Sequence, residues 1–358
     1  MTGPVAIVLP PKEGFSPGAV GAIGLLVRRL VRAGADGIVV GRPPRGPPFD
    51  GVAFRAVTPG WGLDGLARYA AGVARVLRPL RPRMIEVHNR PAVALLLARR
   101  FPSVPVLLWL NNDPQGMRAA KTSSERARLL DRLVRVVCAS EWLRGRLLDG
   151  VPPPTRPPVV LPNCIDLPPP PSDQRDPMIL FAGRVVADKG ADSFVRACAE
   201  ALPHLPGWQA EMLGADRFAP DSPDTPFLRA LRPEAVAAGI LMRGYQPYPA
   251  VLAAMGRAAI VAVPSRWQEP FGLAALEAMA CGAALVCSAR GGLPEIGGPA
   301  AVYADPDAPG ELGQALLSLA TDEPRRTALA AAGRRRAESF GAPAAARHLL
   351  ALRQECLG

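Results

Sequence analysis

The chain has 358 residues, of which 49% are hydrophobic and 20% charged, the balance of a folded globular protein with room for two hydrophobic cores. This composition excludes a disordered chain, even though Pro and Gly together number 77. The longest apolar stretch, about residues 270–289, is interrupted by Glu277 and Gly282, so it predicts a helix followed by a strand rather than a membrane-spanning helix.

Two features bear on the cellular compartment. The N-terminal segment has no basic region ahead of its short apolar run, which argues against a secretory signal. The six cysteines are dispersed, with no CxxC pair and no compact disulfide spacing. We therefore expect reduced thiols and a cytoplasmic protein.

In the first half of the chain, short β-type runs alternate with helical periodicity. Helical stretches such as 19–33, 64–78 and 124–135 separate runs that read VAIVLP, GIVV, MIEVH, VPVLLWL and VVCAS. This alternation predicts a parallel sheet covered by helices.

Positive charge is concentrated in the same half. Residues 1–165 contain 24 Lys and Arg against 10 Asp and Glu, a net charge of +14, whereas residues 166–358 have a net charge of −3. The asymmetry predicts a polyanionic neighbour, such as acidic lipid or a phosphorylated substrate, unless it is only a solvated basic surface. Nucleic acid is not the expected partner, because aromatic residues are 5% of the chain and do not interleave with the arginines.

A proline-rich segment separates the two halves. Residues 151–176 hold two proline clusters around a short apolar strand, and proline runs form stiff, extended spacers. We predict a hinge here, between a first domain over 1–165 and a second over 166–341. A C-terminal helix, about 342–358, can pack back on the first domain.

The second half repeats the alternation of strands and helices. Its β-type runs are MILFAG, WQAEMLG, GILMRG, AIVAVPS, ALVCSA and AVYA. The fold class predicted for the whole chain is therefore α/β, with two Rossmann-like domains that face each other across a cleft. Ligands of such folds bind beyond the carboxyl ends of the strands.

The loop after the first of these strands, in FAGRVVADKG, predicts an anion site. Arg184 and Lys189 lie near a predicted helix start, where cations and backbone amides suit phosphate groups. The chain has only three lysines against 39 arginines, so a lysine in this loop is a candidate for a specific point-charge donor rather than a generic surface cation.

Two glutamates stand eight residues apart in SRWQEPFGLAALEAMACG. Glu269 precedes a predicted helix and Glu277 lies one turn inside it, both among small and apolar residues. Carboxylates in such surroundings are costly unless something pairs with them. Together with free amides at the helix start, they suit the hydroxyl groups of a ligand that contains sugars and a diphosphate.

The segment EPFGLAALEAMACG resembles the E-x7-E signature of the retaining GT-B glycosyltransferases, family 4 type. GRVVADKG, LPNCIDL, GGLPEI and EGFSPGAVG resemble further segments of that family in the same order, so the resemblance covers nearly the whole chain. Cys164 and Ile165 depart from the family, which usually has Gly-Val at those positions. The resemblance implies the GT-B architecture.

The resemblance implies roles for residues of the second domain, which would bind the donor. Arg184 and Lys189 would neutralise the donor diphosphate, Glu277 would bind the nucleotide ribose and Glu269 a hydroxyl of the transferred sugar. The remaining sugar hydroxyls would be held by the backbone amides of Phe271, Gly272 and Leu273.

In the first domain, which would bind the acceptor, the resemblance implies two contacts with the donor. Gly18 would approach the phosphates, and His88, at the end of the strand MIEVH, would touch the sugar near the reaction centre. The family usually works without metal, so neither a metal site nor a cofactor is expected.

The resulting functional prediction is a retaining transfer of a hexosyl unit from a nucleotide-diphosphate sugar, UDP- or GDP-linked. The acceptor would be a lipid-linked saccharide in cell-surface polysaccharide synthesis, and the basic first domain would dock on the anionic inner face of the cell membrane. The main alternative is a nucleotide-sugar epimerase on the same fold, which needs no acceptor.

Other functional classes fit the sequence less well. The glutamate pair could serve glycoside hydrolysis, but a two-domain chain with a phosphate loop does not suit that reaction. The motif DPD at Asp305–Asp307 resembles a metal-binding DxD but is predicted to be a turn. GAVGAIG at 18–24 lacks the GxGxxG order of a dinucleotide loop. A membrane-surface protein on a degenerate transferase fold would be expected to lack Arg184, Lys189 or the glutamates.

Overall fold

The computed structural model describes residues 3–61, 64–169, 174–217 and 222–358. Part of the second proline cluster and part of the loop TPGWGLDG lie outside the described residues. Contacts divide the chain into two compact units: unit 1 is Met1–Asp166 together with Phe340–Gly358, and unit 2 is Leu167–Ser339. The chain therefore connects the units twice.

The strands of unit 1 are β1 (Val5–Val8), β2 (Phe15–Ser16), β3 (Ala19–Val20), β4 (Ile38–Gly41), β5 (Phe54–Ala56), β6 (Met84–His88), β7 (Val106–Leu110), β8 (Arg135–Cys138) and β9 (Val159–Val160). Seven of them form a sheet in the order β5-β4-β1-β6-β7-β8-β9, and its described pairings are all parallel. β2 and β3 form a separate antiparallel hairpin. The central strands are buried over their full length, because helices cover both faces of a parallel sheet.

The helices of unit 1 that precede the second unit are α1 (Ala22–Arg32), α2 (Gly65–Leu80), α3 (Pro91–Arg100), α4 (Ser123–Arg132) and α5 (Glu141–Leu148). Side-chain caps fix the starts of α2 and α4: Asp64 accepts from two amides of α2, and Thr122 with Glu125 forms a capping box on α4.

Unit 2 has a six-stranded sheet of its own. The strands are β10 (Asp176–Ala182), β11 (Gln209–Leu213), β12 (Ile240–Gly244), β13 (Ala258–Val263), β14 (Ala284–Cys287) and β15 (Ala301–Tyr303). They lie in the order β12-β11-β10-β13-β14-β15, again with parallel pairings. The order reverses at β10, and the loops after β10 and β13 therefore lie side by side, as at the switch point of a doubly wound sheet.

The helices of unit 2 are α6 (Ala191–Ala201), α7 (Pro226–Ala237), α8 (Tyr248–Arg257), α9 (Leu273–Ala280), α10 (Leu293–Gly297), α11 (Glu311–Thr321) and α12 (Glu323–Glu338). Short 3-10 turns lie at Pro114–Gly116 in unit 1 and at Ala187–Lys189, Leu202–His204 and Gly298–Ala300 in unit 2. The main core of unit 2 lies between its sheet and helices that include α6, α7 and α11.

The last helix, α13 (Ala342–Leu357), belongs to unit 1. Its Leu349 and Leu352 pack in one cluster with Leu26 and Trp109. The Nε of Arg353 lies 2.6 Å from Oε1 of Glu86 on β6, and both side chains are buried. Removing one partner of such a pair leaves an uncompensated charge in the interior, so α13 is an integral part of unit 1.

The prediction of an α/β fold with two Rossmann-like domains is confirmed by these sheets. Every run predicted as β-type in either half contains a strand, and the short apolar strand predicted between the two proline clusters contains β9. The short β5 and the β2-β3 hairpin were not predicted. Within the described residues, no helix is both long and apolar enough to cross a membrane. All six cysteines are free thiols.

Candidate active site

The loop after β10 carries Arg184 and the 3-10 turn that ends at Lys189. Gly190 follows with φ +67°, and a Cβ there would lie 1.8 Å from the carbonyl oxygen of Pro264, at the end of β13. Only glycine permits this approach. The loop after β10 is therefore packed directly on the loop that carries Glu269.

Lys189 and Glu269 are brought together by this packing. The Nζ of Lys189 contacts Oε1 of Glu269, and the hydroxyl of Ser265 donates to the same oxygen at 2.8 Å. Ser265 is fully buried and is held in turn through its carbonyl oxygen, which accepts from Ser288 Oγ at 2.7 Å. Glu269 thus has the partners that its burial requires, and Lys189 is an ion-paired rather than an isolated cation.

The backbone of the Glu269 loop is anchored by Asp188 and Arg266. The amides of Arg266 and Trp267 both donate to the carbonyl oxygen of Asp188 at 2.9 Å. The guanidinium of Arg266 binds both oxygens of Asp192, at 2.6 and 2.9 Å. Burial disfavours the ionised form of Asp192, but hydrogen bonds from Arg266 and Arg196 outweigh it and hold its pKa at about 2.

The motif DPD belongs to the same ionic network. Asp305 and Asp307 both bind Arg290, at 3.1 Å, and Asp307 also binds Arg266, at 2.5 Å. The amide of Asp307 donates to the side chain of Asp305. These carboxylates therefore form a turn and hold the ends of the loops in place.

Glu277 lies on α9 and has a partner that the sequence did not reveal. The hydroxyl of Tyr248, the first residue of α8, donates to Oε1 of Glu277 at 2.8 Å. Both side chains are half-buried.

The start of α9 provides the amides that were predicted to hold sugar hydroxyls. Gly272 caps the helix with φ +103°, and a Cβ there would lie 2.7 Å from Cδ2 of Leu293. The first amides of a helix have no intrahelical acceptor. Phe271 and Leu273, on either side of Gly272, are buried and half-buried respectively. The helix start can thus present backbone donors to a ligand.

The two predicted residues of unit 1 have contrasting surroundings. Gly18, with φ +77°, makes the turn between β2 and β3, and a Cβ there would meet nothing within 4 Å. His88 is 1% exposed at the end of β6, with its ring stacked on Trp109 at a centroid distance of 5.3 Å. Burial lowers the pKa of His88 to about 4, and its Nδ1 has no partner among the described groups.

The structure therefore joins Lys189 to Glu269 directly, and places Glu277 on the helix that follows the Glu269 loop. Arg184 is half-exposed at the end of β10. Three supporting residues escaped the sequence analysis, namely Tyr248, Ser265 and Arg266. Ser265 and Arg266 lie in the quoted segment itself, whereas Tyr248 is 29 residues away from Glu277 and has no local signal.

Two protein-family models match the chain. Residues 18–168 match the model of Glycosyltransferase Family 4, and residues 166–336 match that of the glycosyl transferases group 1.

Curated relatives are glycosyltransferases. A D-inositol 3-phosphate glycosyltransferase of Segniliparus rotundus is 36% identical over 185 residues, 50% of this chain and 40% of the relative. A GDP-mannose-dependent monoacylated alpha-(1-6)-phosphatidylinositol monomannoside mannosyltransferase of Corynebacterium glutamicum is 29% identical over 170 residues, 46% of this chain and 43% of the relative. The matches thus span less than half the length of these relatives.

Solved structures with the same fold cover nearly the whole chain. A sucrose-phosphate synthase from Thermosynechococcus elongatus has a TM-score of 0.77 at 18% identity, covering 98% of both chains. HepE from Anabaena, in complex with UDP-glucose, has a TM-score of 0.75 at 16% identity, covering 98% of this chain and 100% of the other. At these identities the likeness shows the fold alone.

Proposed function

We propose that this chain transfers a hexosyl unit from a UDP- or GDP-linked sugar with retention of the anomeric configuration. The two family matches support a group 1 glycosyltransferase. The observation that carries the proposal is the Lys189–Glu269 pair at the carboxyl ends of β10 and β13, with Glu277 on α9, the helix that follows the Glu269 loop. The fold neighbours include a protein solved with UDP-glucose, and one relative is named as GDP-mannose-dependent, so both nucleotides are candidates.

Lys189 and Arg184 neutralise the diphosphate of the donor. As the bond between the anomeric carbon and the phosphate oxygen breaks, its electron pair moves to the diphosphate, and fixed cations lower the energy of that charge. The diphosphate competes with Glu269 for the Lys189 ammonium. Glu269, still held by Ser265, then accepts from a hydroxyl of the sugar.

Glu277 binds hydroxyls of the nucleotide ribose, and the amides of Phe271, Gly272 and Leu273 hold other sugar hydroxyls. In unit 1, Gly18 approaches the phosphates and His88 lies near the reaction centre. The acceptor hydroxyl attacks on the face from which the diphosphate leaves, and its proton passes to the departing phosphate oxygen. No cofactor and no metal ion enters these steps.

The acceptor in this proposal is a lipid-linked saccharide, and the reaction belongs to cell-surface polysaccharide synthesis at the inner face of the membrane. Unit 1, over the residues assigned to it, has a net charge of +14 and unit 2 a net charge of −3. Each Lys or Arg close to an anionic surface contributes about 1 kcal/mol to binding, so a few on one face suffice for reversible docking.

The proposed function is tested by a turnover assay with a panel of UDP and GDP sugars, with and without saccharide acceptors. We expect donor consumption that depends on an acceptor, and a product whose anomeric proton coupling in NMR matches that of the donor. Release of an altered sugar without an acceptor would assign an epimerase instead, and inversion would reject the retaining mechanism.

Membrane docking is tested by sedimentation with vesicles. Because the Debye length shrinks from about 10 Å at 0.1 M salt to about 3 Å at 1 M, we expect binding to anionic vesicles in low salt and release in high salt. If equal amounts of the protein sediment with neutral and anionic vesicles, membrane docking is rejected. The proposed transfer reaction does not depend on that result.

A further inference from the structure

A pocket lies in unit 1, at the same edge of its sheet as His88. A pocket of about 350 Å³ is lined by residues that follow the carboxyl ends of three adjacent strands, among them Pro11 after β1, Arg42 after β4 and Gly60 after β5. The first turns of α2 complete it with Arg68 and Tyr69. This is the edge where doubly wound sheets bind ligands.

The walls of this pocket are fixed by backbone packing. The amide of Gly60 donates to the carbonyl oxygen of Arg68 at 2.8 Å, which ties the loop after β5 to α2. A Cβ on Gly72 would lie 2.3 Å from the carbonyl oxygen of Thr58, so the loop lies directly on the helix. The hydroxyl of Tyr69 is buried and donates to the carbonyl oxygen of Leu9 at 2.8 Å. The pocket is therefore formed before a ligand binds.

The charge of the pocket is positive. Arg42 and Arg68 are exposed, and within the described chain neither side chain makes a hydrogen bond or an ion pair. No acidic residue is among the described residues that line it. The nearest carboxylate in sequence, Asp64, is occupied by the amides of Leu66 and Ala67 and by Arg118 at 2.9 Å.

We propose that this pocket is a subsite for a phosphate group of the acceptor, held by the guanidinium groups of Arg42 and Arg68. Guanidinium groups match phosphate oxygens in paired, charge-assisted hydrogen bonds. The volume exceeds that of a phosphate and leaves room for a polyol or sugar attached to it. The assignment to the acceptor rests on the proposed function, whereas the phosphate site itself does not.

The probe is inorganic phosphate, titrated by calorimetry into the full chain, with acetate as the comparison anion. The test variant is Arg42→Gln/Arg68→Gln, and the matched control is Arg99→Gln/Arg100→Gln, which removes the same charge from exposed residues at the far end of α3. A third variant, Arg184→Gln/Lys189→Gln, removes the phosphate contacts proposed for unit 2.

We expect the test variant to lose phosphate affinity by about tenfold or more, because charge-assisted hydrogen bonds are lost. The control should bind phosphate as the unchanged protein does, and phosphate should bind more tightly than acetate. The third variant should keep the binding that depends on Arg42 and Arg68. If the test variant and its control bind phosphate with equal affinity, the proposed subsite is wrong. This conclusion holds whether or not the donor site of unit 2 is functional.

Two sources of the phosphate are separated by vesicles of anionic phospholipid. Loss of vesicle binding in the test variant but not in the control assigns the site to a lipid phosphodiester. If the test variant and the control bind vesicles equally but only the test variant loses phosphate affinity, the site is assigned to a small phosphorylated acceptor. Both outcomes retain the phosphate site.

Discussion

The two units share one fold class but satisfy their polar groups differently. In unit 2 the groups at the carboxyl edge bind each other: Lys189 pairs with Glu269, Tyr248 with Glu277, and Arg266 with Asp192. In the described part of the chain, the buried side-chain nitrogens and oxygens without a hydrogen-bond partner all lie in unit 1, including Nδ1 of His88 and both amide atoms of Asn111. The excess positive charge also lies in unit 1.

The polar groups at the carboxyl edge of unit 2 are thus paired with each other before a ligand binds, whereas unit 1 keeps buried polar atoms without a hydrogen-bond partner and an excess of positive charge. A unit that binds the same donor in every turnover needs less rearrangement when its polar groups are already held in place by hydrogen bonds and ion pairs. A unit whose buried groups stay unpaired holds them at a cost of about 1–3 kcal/mol each. Three predictions probe the two halves of this comparison.

The largest effect is expected from Lys189→Gln, which tests the organisation of unit 2. It removes a cation from the proposed leaving group and leaves Glu269, 11% exposed, without its ion-pair partner. We expect kcat to fall by about 10²–10³-fold, the loss typical of a single group that stabilises transition-state charge.

The matched control for that variant is Lys121→Gln, an exposed lysine in unit 1. It should leave kcat unchanged, and circular dichroism should show both variants folded. Full turnover in the Lys189 variant would mean that the pair with Glu269 is only structural.

The next effect concerns His88 and the unpaired groups of unit 1. Its pKa is about 4 in the folded protein against 6.5 ordinarily, so the unfolded chain binds the proton first as the pH falls. The contribution of neutral His88 to the free energy of unfolding is present above pH 6.5 and is lost as the pH falls from 6.5 to 4. At pH 4.5 the free energy of unfolding should be about 2.5 kcal/mol lower than at pH 7 on this account.

Urea titrations at both pH values measure this loss. His88→Phe keeps a ring against Trp109 but cannot titrate, so its pH-dependent loss should be smaller by that amount. His348→Gln, a change at an exposed histidine of the same unit, should keep the original loss. If the His88 variant loses as much stability as the unchanged protein, other groups cause the acid sensitivity.

The smallest effect is expected from Tyr248→Phe. It removes the hydroxyl that donates to Glu277 at 2.8 Å and keeps the aromatic ring. We expect the KM for the donor to rise about three- to tenfold, the worth of one half-exposed hydrogen bond, with kcat nearly unchanged. A fall in kcat at constant KM would place Tyr248 in the chemical step instead of in nucleotide binding.

The sequence predicted the fold, and it singled out Lys189 and Glu269 as candidate site residues, because both inferences rest on local patterns. Strands and helices follow from apolar periodicity, and Lys189 and Glu269 each stand next to a strand or helix boundary. Their contact with each other was not predicted, because it depends on Gly190 packing against Pro264. The Lys189 side chain was expected to serve phosphates alone.

Other parts of the candidate sites had no signal in the sequence. Tyr248 reaches Glu277 only because α8 and α9 are neighbours in the folded unit. Arg42 and Arg68 are two of 39 arginines, and only the position of β4 beside β5 brings them to one pocket. The position of His88 at the end of a strand likewise did not indicate that its side chain is buried. Its contact with a sugar stays a prediction.

The position of α13 in unit 1 has a consequence for protein synthesis. The ribosome makes residues 167–339 before residues 342–357, so unit 2 can finish folding while unit 1 still lacks a helix. Until that helix emerges, Glu86 has no Arg353, and Leu26 and Trp109 lack part of their packing. The unit that is translated first is thus completed last, and a premature stop codon near residue 340 would spare unit 2 and disable unit 1.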